Sequence, residues 1–370
     1  NIIVKDGISS GANTFEQSSQ ISGGEINLKA GGNIVVQDAI TSQVFVGGAN
    51  DISAGKINID SGGDIFVAEI ESSVDVNGLS LFIPLSNNAF GGEVNLKAVG
   101  DIIMGPIRSS VDLFATSDNG IAGNVNLATD GNIFVQDIEA LVRVYSPFSN
   151  NVVAGNVNIN SGENIVFGSV NTSNFNGTSS FDEENSSVGR GGDVKVIADN
   201  GTVRGGLFLS EDILEEEDFV RELELPEWLK LPEGLEITTE ELKLIELNLP
   251  NTISTVGEDS SGTVEISHDG TIENIPFIVG DANINGTAGA INAGDNIILP
   301  TTEYPNAGTV NQGNISITFN NTAPDITVNS DLNISSANQP ITFTLTDINQ
   351  NISDANNDIT SVQINQTEEA

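Results

Sequence analysis

Few residues in this chain have the type and spacing that could do chemistry. Near the carboxyl end, the run TDINQNISDANNDI brings Asp347, Asp354, Asn356 and Asp358 close together. These are hard oxygen ligands of the kind calcium takes, but the spacing is not that of an EF-hand, and a solvated polar loop is the simpler reading. Glu69, Glu71, Asp137 and Glu139 follow strand-like segments, and glycoside cleavage needs paired carboxylates on one groove. Nothing in their spacing sets these four apart from the general acidity. His268 is the only histidine and there is no cysteine, so neither a zinc set nor a Ser/His/Asp arrangement beyond that one residue can be built. His268 stands at a polar corner position. No catalytic residue is assigned, no cofactor is expected beyond the calcium reading, and the chain is read as no enzyme. The only tryptophan, Trp228, is the one candidate anchor for a protein partner.

The bulk chemistry narrows the partners. Twelve Lys and Arg stand against 52 Asp and Glu, a formal net charge of −40 over 370 residues. Such a surface repels nucleic acid and anionic membranes. It suits divalent cations or solubility outside the cell. No apolar run approaches the ~20 residues of a helical membrane span. The start, NIIVKDGISS, matches the second half of a unit that recurs further on, so the chain reads as a fragment cut within a repeat.

The elements that would position any site come from that unit. GGEINLKAGGNIVVQDAITS at Gly23 returns from Ala54, Gly91, Ala122 and Ala154, and more weakly from Gly191. Aligned on Gly24, Gly55, Gly92, Gly123, Gly155 and Gly192, the steps are 31, 37, 31, 32 and 37 residues. After each glycine the apolar residues alternate, Ile26 and Leu28, Ile57 and Ile59, Val94 and Leu96, which is the period of a strand with one buried face. A glycine-rich corner follows. A second alternating strand then carries Ile34 and Val36, Ile65 and Val67, Ile102 and Met104. A third apolar position lies five past the first, at Ile70, Ile107, Ile138 and Val170, and at Ala39 in the first full copy.

A unit this short cannot bury its apolar face alone, whereas stacked copies pair each strand with its equivalent about 4.8 Å away. The expected fold is all-β, a right-handed parallel β-helix, or β-solenoid, the hand being implied by the resemblance given below. A propeller would need four antiparallel strands per repeat. Between the two inward residues of the first strand stand Asn27, Asn58, Asn95, Asn126 and Asn158, with Lys195 as the exception. Asparagine is a poor strand former, but stacked amides can donate to one neighbour and accept from the other. An outward ladder that reinforces register is expected, the plain alternative being a polar slot. The corner residues Asn33, Asp64, Asp101, Asn132 and Asn164 suit a turn that tolerates left-handed backbone.

The organisation reads as follows. Residues 1–206 hold solenoid rungs. Residues 207–250 form an acidic insertion with short helices; residues 211–250 carry 14 acidic and 3 basic residues. Thr238 and Glu241 make a capping box before one helix, and SEDILEEEDFVRELEL makes another. The insertion is either a lid on the flank or a partner-binding arm anchored by Trp228. Rungs continue over 251–322, and 323–370 starts a β-sandwich, with Ile341, Phe343 and Leu345 alternating against Thr342, Thr344 and Thr346. The stretches Val74–Asn88, Tyr145–Asn151 and Asn171–Val188 are read as display loops.

The repeats, with their glycine pair, the xIxLxA and GxI patterns and one length-variable segment, resemble the rungs of filamentous-haemagglutinin-like exoproteins of the cyanobacterial type. The likeness covers residues 1–205 well and 260–320 weakly. It implies export through an outer-membrane two-partner-secretion transporter. It also implies a secreted or cell-surface location on a Gram-negative-type bacterium, and adhesion to surface or matrix glycans or proteins. The tail resembles the start of a cadherin- or immunoglobulin-like module. The competing function is that of a polysaccharide-acting parallel β-helix enzyme, a lyase or glycosidase.

Overall fold

The structure is a computed structural model. It describes residues 1–14, 18–47, 49–76, 86–114, 117–145, 151–176, 188–210, 220–223, 243–247, 249–270, 275–304 and 308–320. Among these residues every regular element is a strand. Trp228, Asp347, Asp354, Asn356, Asp358 and the expected sandwich at 323–370 lie outside them.

Equivalent residues of successive repeats pair in parallel. In the first sheet Ile26, Ile57, Val94, Val125, Val157, Val194, Val264 and Ile315 form one unbroken line of partners. In the second sheet Ile34, Ile65, Ile102, Ile133, Ile165 and Val203 do the same. The inward residues of both sheets belong to one core; most are almost completely buried, while Ile2, Val4 and Leu28 at its amino-terminal end are partly buried. Each fully buried Ile or Val contributes about 1.5–3 kcal/mol, and the contribution recurs in every repeat. The third apolar position of the first copy is Ile40 rather than Ala39. Ile40 pairs with Ile70, because an extra residue bulges between Val36 and Ala39.

Each repeat carries more strands than its two strong patterns announce. Val44–Val46, Val74–Val76, Val111–Leu113, Val142–Val144 and Asn174–Asn176 join a third sheet that starts at Ala12–Thr14. Ser18–Ser22, Ala49–Ser53, Ser86–Phe90, Ser117–Ile121, Asn151–Val153 and Val188–Arg190 join a fourth. The expected display loops therefore overlap strands at their ends, except at Tyr145, which lies just past Val142–Val144. These two sheets enclose a second core of Val44, Val46, Ile52, Val74, Val76, Ala89 and their equivalents. The variable lengths fall between third- and fourth-sheet strands, where 2, 9, 3, 6 and 11 residues intervene.

A polar seam separates the two cores, and it explains the glycine that opens each repeat. The amides of Gly92, Gly123, Gly155 and Gly192 donate across the repeat to the carbonyls of Ser72, Ser109, Ala140 and Thr172. The hydroxyls of Ser72, Ser109 and Thr172 in turn donate to the carbonyls of Gly55, Gly92 and Gly192, at 2.6, 2.6 and 2.7 Å. A Cβ at Gly55, Gly92, Gly123, Gly155, Gly192 or Gly262 would stand under 3.0 Å from the carbonyl oxygen of the preceding glycine in the column. Close approach of backbone to backbone excludes any side chain there.

The acidic insertion departs from expectation. Val220–Leu223 and Lys243–Leu247, both placed in helices by the sequence, are strands. They form an antiparallel three-stranded sheet with Leu207–Ser210. Strand Leu207–Ser210 leaves the stack as an open edge; Lys243–Leu247 pairs with it, Val220–Leu223 pairs with Lys243–Leu247 in turn, and this pairing outweighs local helix propensity. Leu207 and Leu244 then bury against Ile103, Phe134, Val166 and Ala282 on the outer face of the second sheet. The second-sheet strands carry three apolar residues in a row, such as IFV at Ile65–Val67 and Ile133–Val135. The middle one points outward and needs this cover.

From residue 251 the rungs change character. QGNISITFN does continue the first sheet, since Ile315–Phe319 pairs in parallel with Val264–His268. AGAINAGDNIILP continues the second sheet in parallel through Ala290–Ala293, which pairs with Asn251–Ser254, and then turns back as antiparallel Asn296–Ile298. Beside Val203–Gly205 the second sheet is extended by Gly286–Thr287.

Candidate functional site

Three polar columns run along the stack. In the first sheet the Asn58 amide donates to Asn27 at 2.8 Å, Asn95 to Asn58 at 3.0 Å, Asn126 to Asn95 at 2.8 Å and Asn158 to Asn126 at 2.8 Å. Glu25 also accepts from Asn58, at 3.1 Å. Reversing Asn95 alone would turn its oxygen to Lys56 and its nitrogen to Glu93, but would also set nitrogen against the Asn126 nitrogen. The direction of donation is therefore a property of the whole column. Where Lys195 interrupts the asparagines, its ammonium pairs with Glu265 at 2.9 Å.

The fourth sheet holds a second ladder that the repeat pattern did not announce. Asn88 donates to Asp51 at 2.5 Å, Asn119 to Asn88 at 2.6 Å and Asn151 to Asn119 at 3.0 Å. Its signal was an aspartate or asparagine four residues before Gly55, Gly92, Gly123 and Gly155, hidden by the variable segment just upstream.

The third column is the corner, where the expected left-handed backbone is absent. None of Asn33, Asp64, Asp101, Asn132 and Asn164 has positive φ. Their side-chain oxygens instead accept the backbone N–H of the equivalent residue one repeat on: Asn33 from Asp64 at 3.1 Å, Asp64 from Asp101 at 3.0 Å, Asp101 from Asn132 at 2.8 Å and Asn132 from Asn164 at 3.1 Å. A short acceptor is required there for satisfaction of the next backbone amide.

Among the described residues a network of ionisable groups lies on the outer faces of the second and third sheets. Glu71, Arg108 and Glu139 are successive partners in one, and Asp75, Asp112 and Arg143 in the other. Arg143 bridges Glu139 at 2.8 Å and Asp112 at 3.3 Å; Arg108 reaches Glu69 at 2.9 Å and Glu139 at 3.7 Å. Asp137 stands apart, accepting from the Ser169 amide and hydroxyl at 2.9 and 2.6 Å. Among the described residues Asp75 has no cation of its own. Burial, and then the charges of Asp112 and Glu71, push its carboxyl up to about 6. Its Oδ1 is shielded from solvent without a hydrogen-bond partner. Asp112 is raised by burial against the opposing pull of Arg143. Two residues beyond Asp112 and Arg143, the rings of Phe114 and Tyr145 stack at 4.4 Å with planes 4° apart, each 39% exposed. Thus Glu69, Glu71 and Glu139 do meet on one face. Asp75 and Asp112, which no spacing in the sequence singles out, are the carboxylates most altered by it.

His268 is buried rather than set at an open corner. It lies between the rings of Phe277 and Phe319, at 5.6 and 5.4 Å, with Nδ1 3.2 Å from the Asn285 amide nitrogen. Burial lowers its pKa to about 4. Arg204, at the base of the insertion, donates Nε to the Ala282 carbonyl at 2.9 Å, and burial lowers it to about 10 against the pull of Glu246 and Asp281. Among the described residues no group of three or more His, Cys, Asp or Glu could hold a metal ion, and no helix is long and apolar enough to cross a membrane. Comparison with protein-family models, with curated proteins and with solved structures gives no match.

Proposed function

We propose that the chain is a right-handed parallel β-helical spacer in a secreted, surface-attached exoprotein, holding adhesive segments at fixed intervals along a stiff axis. The observation that carries this reading is the single line of parallel partners from Ile26 to Ile315. A stack bonded along its length by backbone ladders and three side-chain columns resists bending. Length variation falls in one place per repeat, between the third and fourth sheets. The rung is therefore constant and the inserted residues are free to vary, as attachment surfaces require. Charge occurs on several faces: Asp60 and Glu93 on the first sheet with their lysines, Asp64 and Asp101 at the corner, Asp51 on the fourth sheet. That distribution suits solubility of a long rod better than a single acidic groove. Export by a two-partner-secretion transporter and attachment to glycans or surface proteins complete the proposal, on the resemblance of the repeats. The test is a glycan array read for retention, with a reducing-sugar assay on the same panel. Retention without cleavage is expected; cleavage without retention would overturn the assignment.

A second reading rests on one observation, the adjacent Asp75 and Asp112 beside the exposed Phe114–Tyr145 stack. Two neighbouring carboxyls of unequal acidity beside an aromatic surface can serve a polysaccharide-cleaving site. Under that reading Asp75→Asn abolishes reducing-sugar release. Under the spacer reading there is no release to lose.

A further inference from the structure

Among the described residues, the two sheets that reach the carboxyl-terminal end of the stack finish in the same way at three places. In the first sheet Ile315–Phe319 is followed by Gly308–Gln312, which runs antiparallel to it. In the second sheet Ala290–Ala293 is followed by antiparallel Asn296–Ile298. Phe277–Val279 is followed by antiparallel Thr302–Tyr304. Parallel pairing, unbroken over the preceding repeats, stops at all three places. The backbone changes there too. Seven of the eight described residues with positive φ lie between Gly270 and Gly313, the only non-glycine among them being Thr301. Gly294 and Gly313 open two-residue hairpin loops at φ of 73° and 60°, the conformation such loops demand.

Polar residues end three of the columns in register, while Val310, Ile298 and Tyr304 stand opposite Ile317, Ile291 and Phe277 in the others. Gln312 lies opposite Ile315, Asn296 opposite Ala293 and Thr302 opposite Val279. Ile298 and Tyr304 remain buried, closing the end of the core, while Gln312 is exposed. The polar groups also tie the hairpins together. Gln312 Nε2 donates to the Ile297 carbonyl at 3.0 Å, and Asn296 Nδ2 to Asn314 Oδ1 at 2.8 Å. Asn314 in turn donates to the carbonyl of Ala293 at 3.2 Å.

We infer that residues 270–320 are a cap that seals the stack against end-on strand addition by a second copy of this chain. An exposed end of a parallel stack offers unpaired N–H and C=O groups above ready-made apolar columns, and so templates further strands. Reversing the last strand of each sheet removes the register that a further parallel repeat needs. Setting glutamine, asparagine and threonine at column positions makes stacking on that end cost desolvation of polar groups. The inference rests on strand pairing and is independent of what the inserted loops bind.

The test uses three variants of the full chain, followed by sedimentation velocity over a broad concentration range. Asn296→Val/Thr302→Val/Gln312→Ile extends the apolar columns without touching the turns. It should shift the weight-average mass from that of the wild type toward twice that value as concentration rises. Lys29→Val/Lys97→Val/Asn160→Val adds as much apolar surface on the outward face of the first sheet and should sediment as wild type. Gly294→Val/Gly313→Val strains both loops; amide exchange should quicken over 290–319 while 26–198 stays protected, and the variant should associate. Wild-type sedimentation of the column variant, equal association of the side-face control, or unchanged exchange in the loop variant would each overturn the cap.

Discussion

Replacing Asp75 by asparagine should stabilise the chain near neutral pH and do nothing in acid. Its carboxyl is raised from 3.8 to about 6, first by burial and then by Asp112 and Glu71. At about 1.4 kcal/mol per decade of proton affinity, that interval corresponds to about 3 kcal/mol of strain in the charged form. Solvent still reaches part of the group and screens it, so about 1 kcal/mol is the working figure. The sign follows from proton linkage. Between 3.8 and about 6 the folded chain binds the proton that the unfolded chain has lost, so folding gains stability as pH falls through that window. The penalty is complete above about pH 6 and gone below about pH 3.8. Asparagine keeps the shape and cannot ionise. Urea denaturation of both proteins at a series of pH values gives the difference directly, and comparing the two removes the titration of every other group. The expected curve is about 1 kcal/mol in favour of asparagine at pH 8, declining to zero near pH 4. Asp112→Asn is the contrast, because it relieves Asp75 but strips Arg143 of a partner at 3.3 Å; its gain should be smaller or reversed. A difference for Asp75→Asn that is absent, of opposite sign, or independent of pH would refute the reasoning.

Other outcomes follow from the same contacts. Gly123→Ala drives a methyl into the Gly92 carbonyl and the Ser109 hydroxyl; it should cost about 3 kcal/mol, read by urea denaturation, with the greatest loss of exchange protection in the repeats on either side. A double-mutant cycle on Asn95→Ala and Asn126→Ala should return a coupling of about 0.5–1 kcal/mol for their 2.8 Å bond, and zero coupling would reduce the ladder to a polar slot. His268 is held neutral with its pKa near 4. The unfolded chain gains the proton first, so stability should fall by up to about 3 kcal/mol as pH drops from about 6.5 to about 4. His268→Leu should remove that slope.

What the sequence made legible was the part written in a repeated apolar period. Ile26, Ile57 and Val94 form a column because only one face of each strand is apolar, and the pattern recurs often enough to fix its register. The asparagine positions were equally plain, since a poor strand former standing between two inward residues has few other uses. The third and fourth sheets were less legible because their strands are short, as in VFV, VDV and VRV, and flank the segment of variable length. Val220–Leu223 and Lys243–Leu247 carry good helix formers; Lys243–Leu247 becomes a strand on the open edge of Leu207–Ser210 and Val220–Leu223 on the edge that Lys243–Leu247 then offers, and no local signal contains either edge. The corner asparagines misled for a similar reason, as the same residue types favour left-handed turns and accept backbone hydrogen bonds. Asp75 and Asp112 sit 37 residues apart in the chain and become neighbours only through pairing, so their altered acidity could not be read in advance.

Stiffness, display and capping all require equivalent residues of successive repeats to lie one strand spacing apart. The chain has no cysteine, so spin labels at Lys29→Cys and Asn160→Cys report on two chosen sites alone. Both positions are exposed on the first sheet, and the partners Lys29, Asp60, Lys97, Ala128 and Asn160 separate them by four steps. Double electron–electron resonance should give a narrow distribution consistent with a backbone separation of about 19 Å, four spacings of about 4.8 Å. A broad distribution, or one centred far beyond the reach of the label linkers around that value, would contradict the stack and everything built on it.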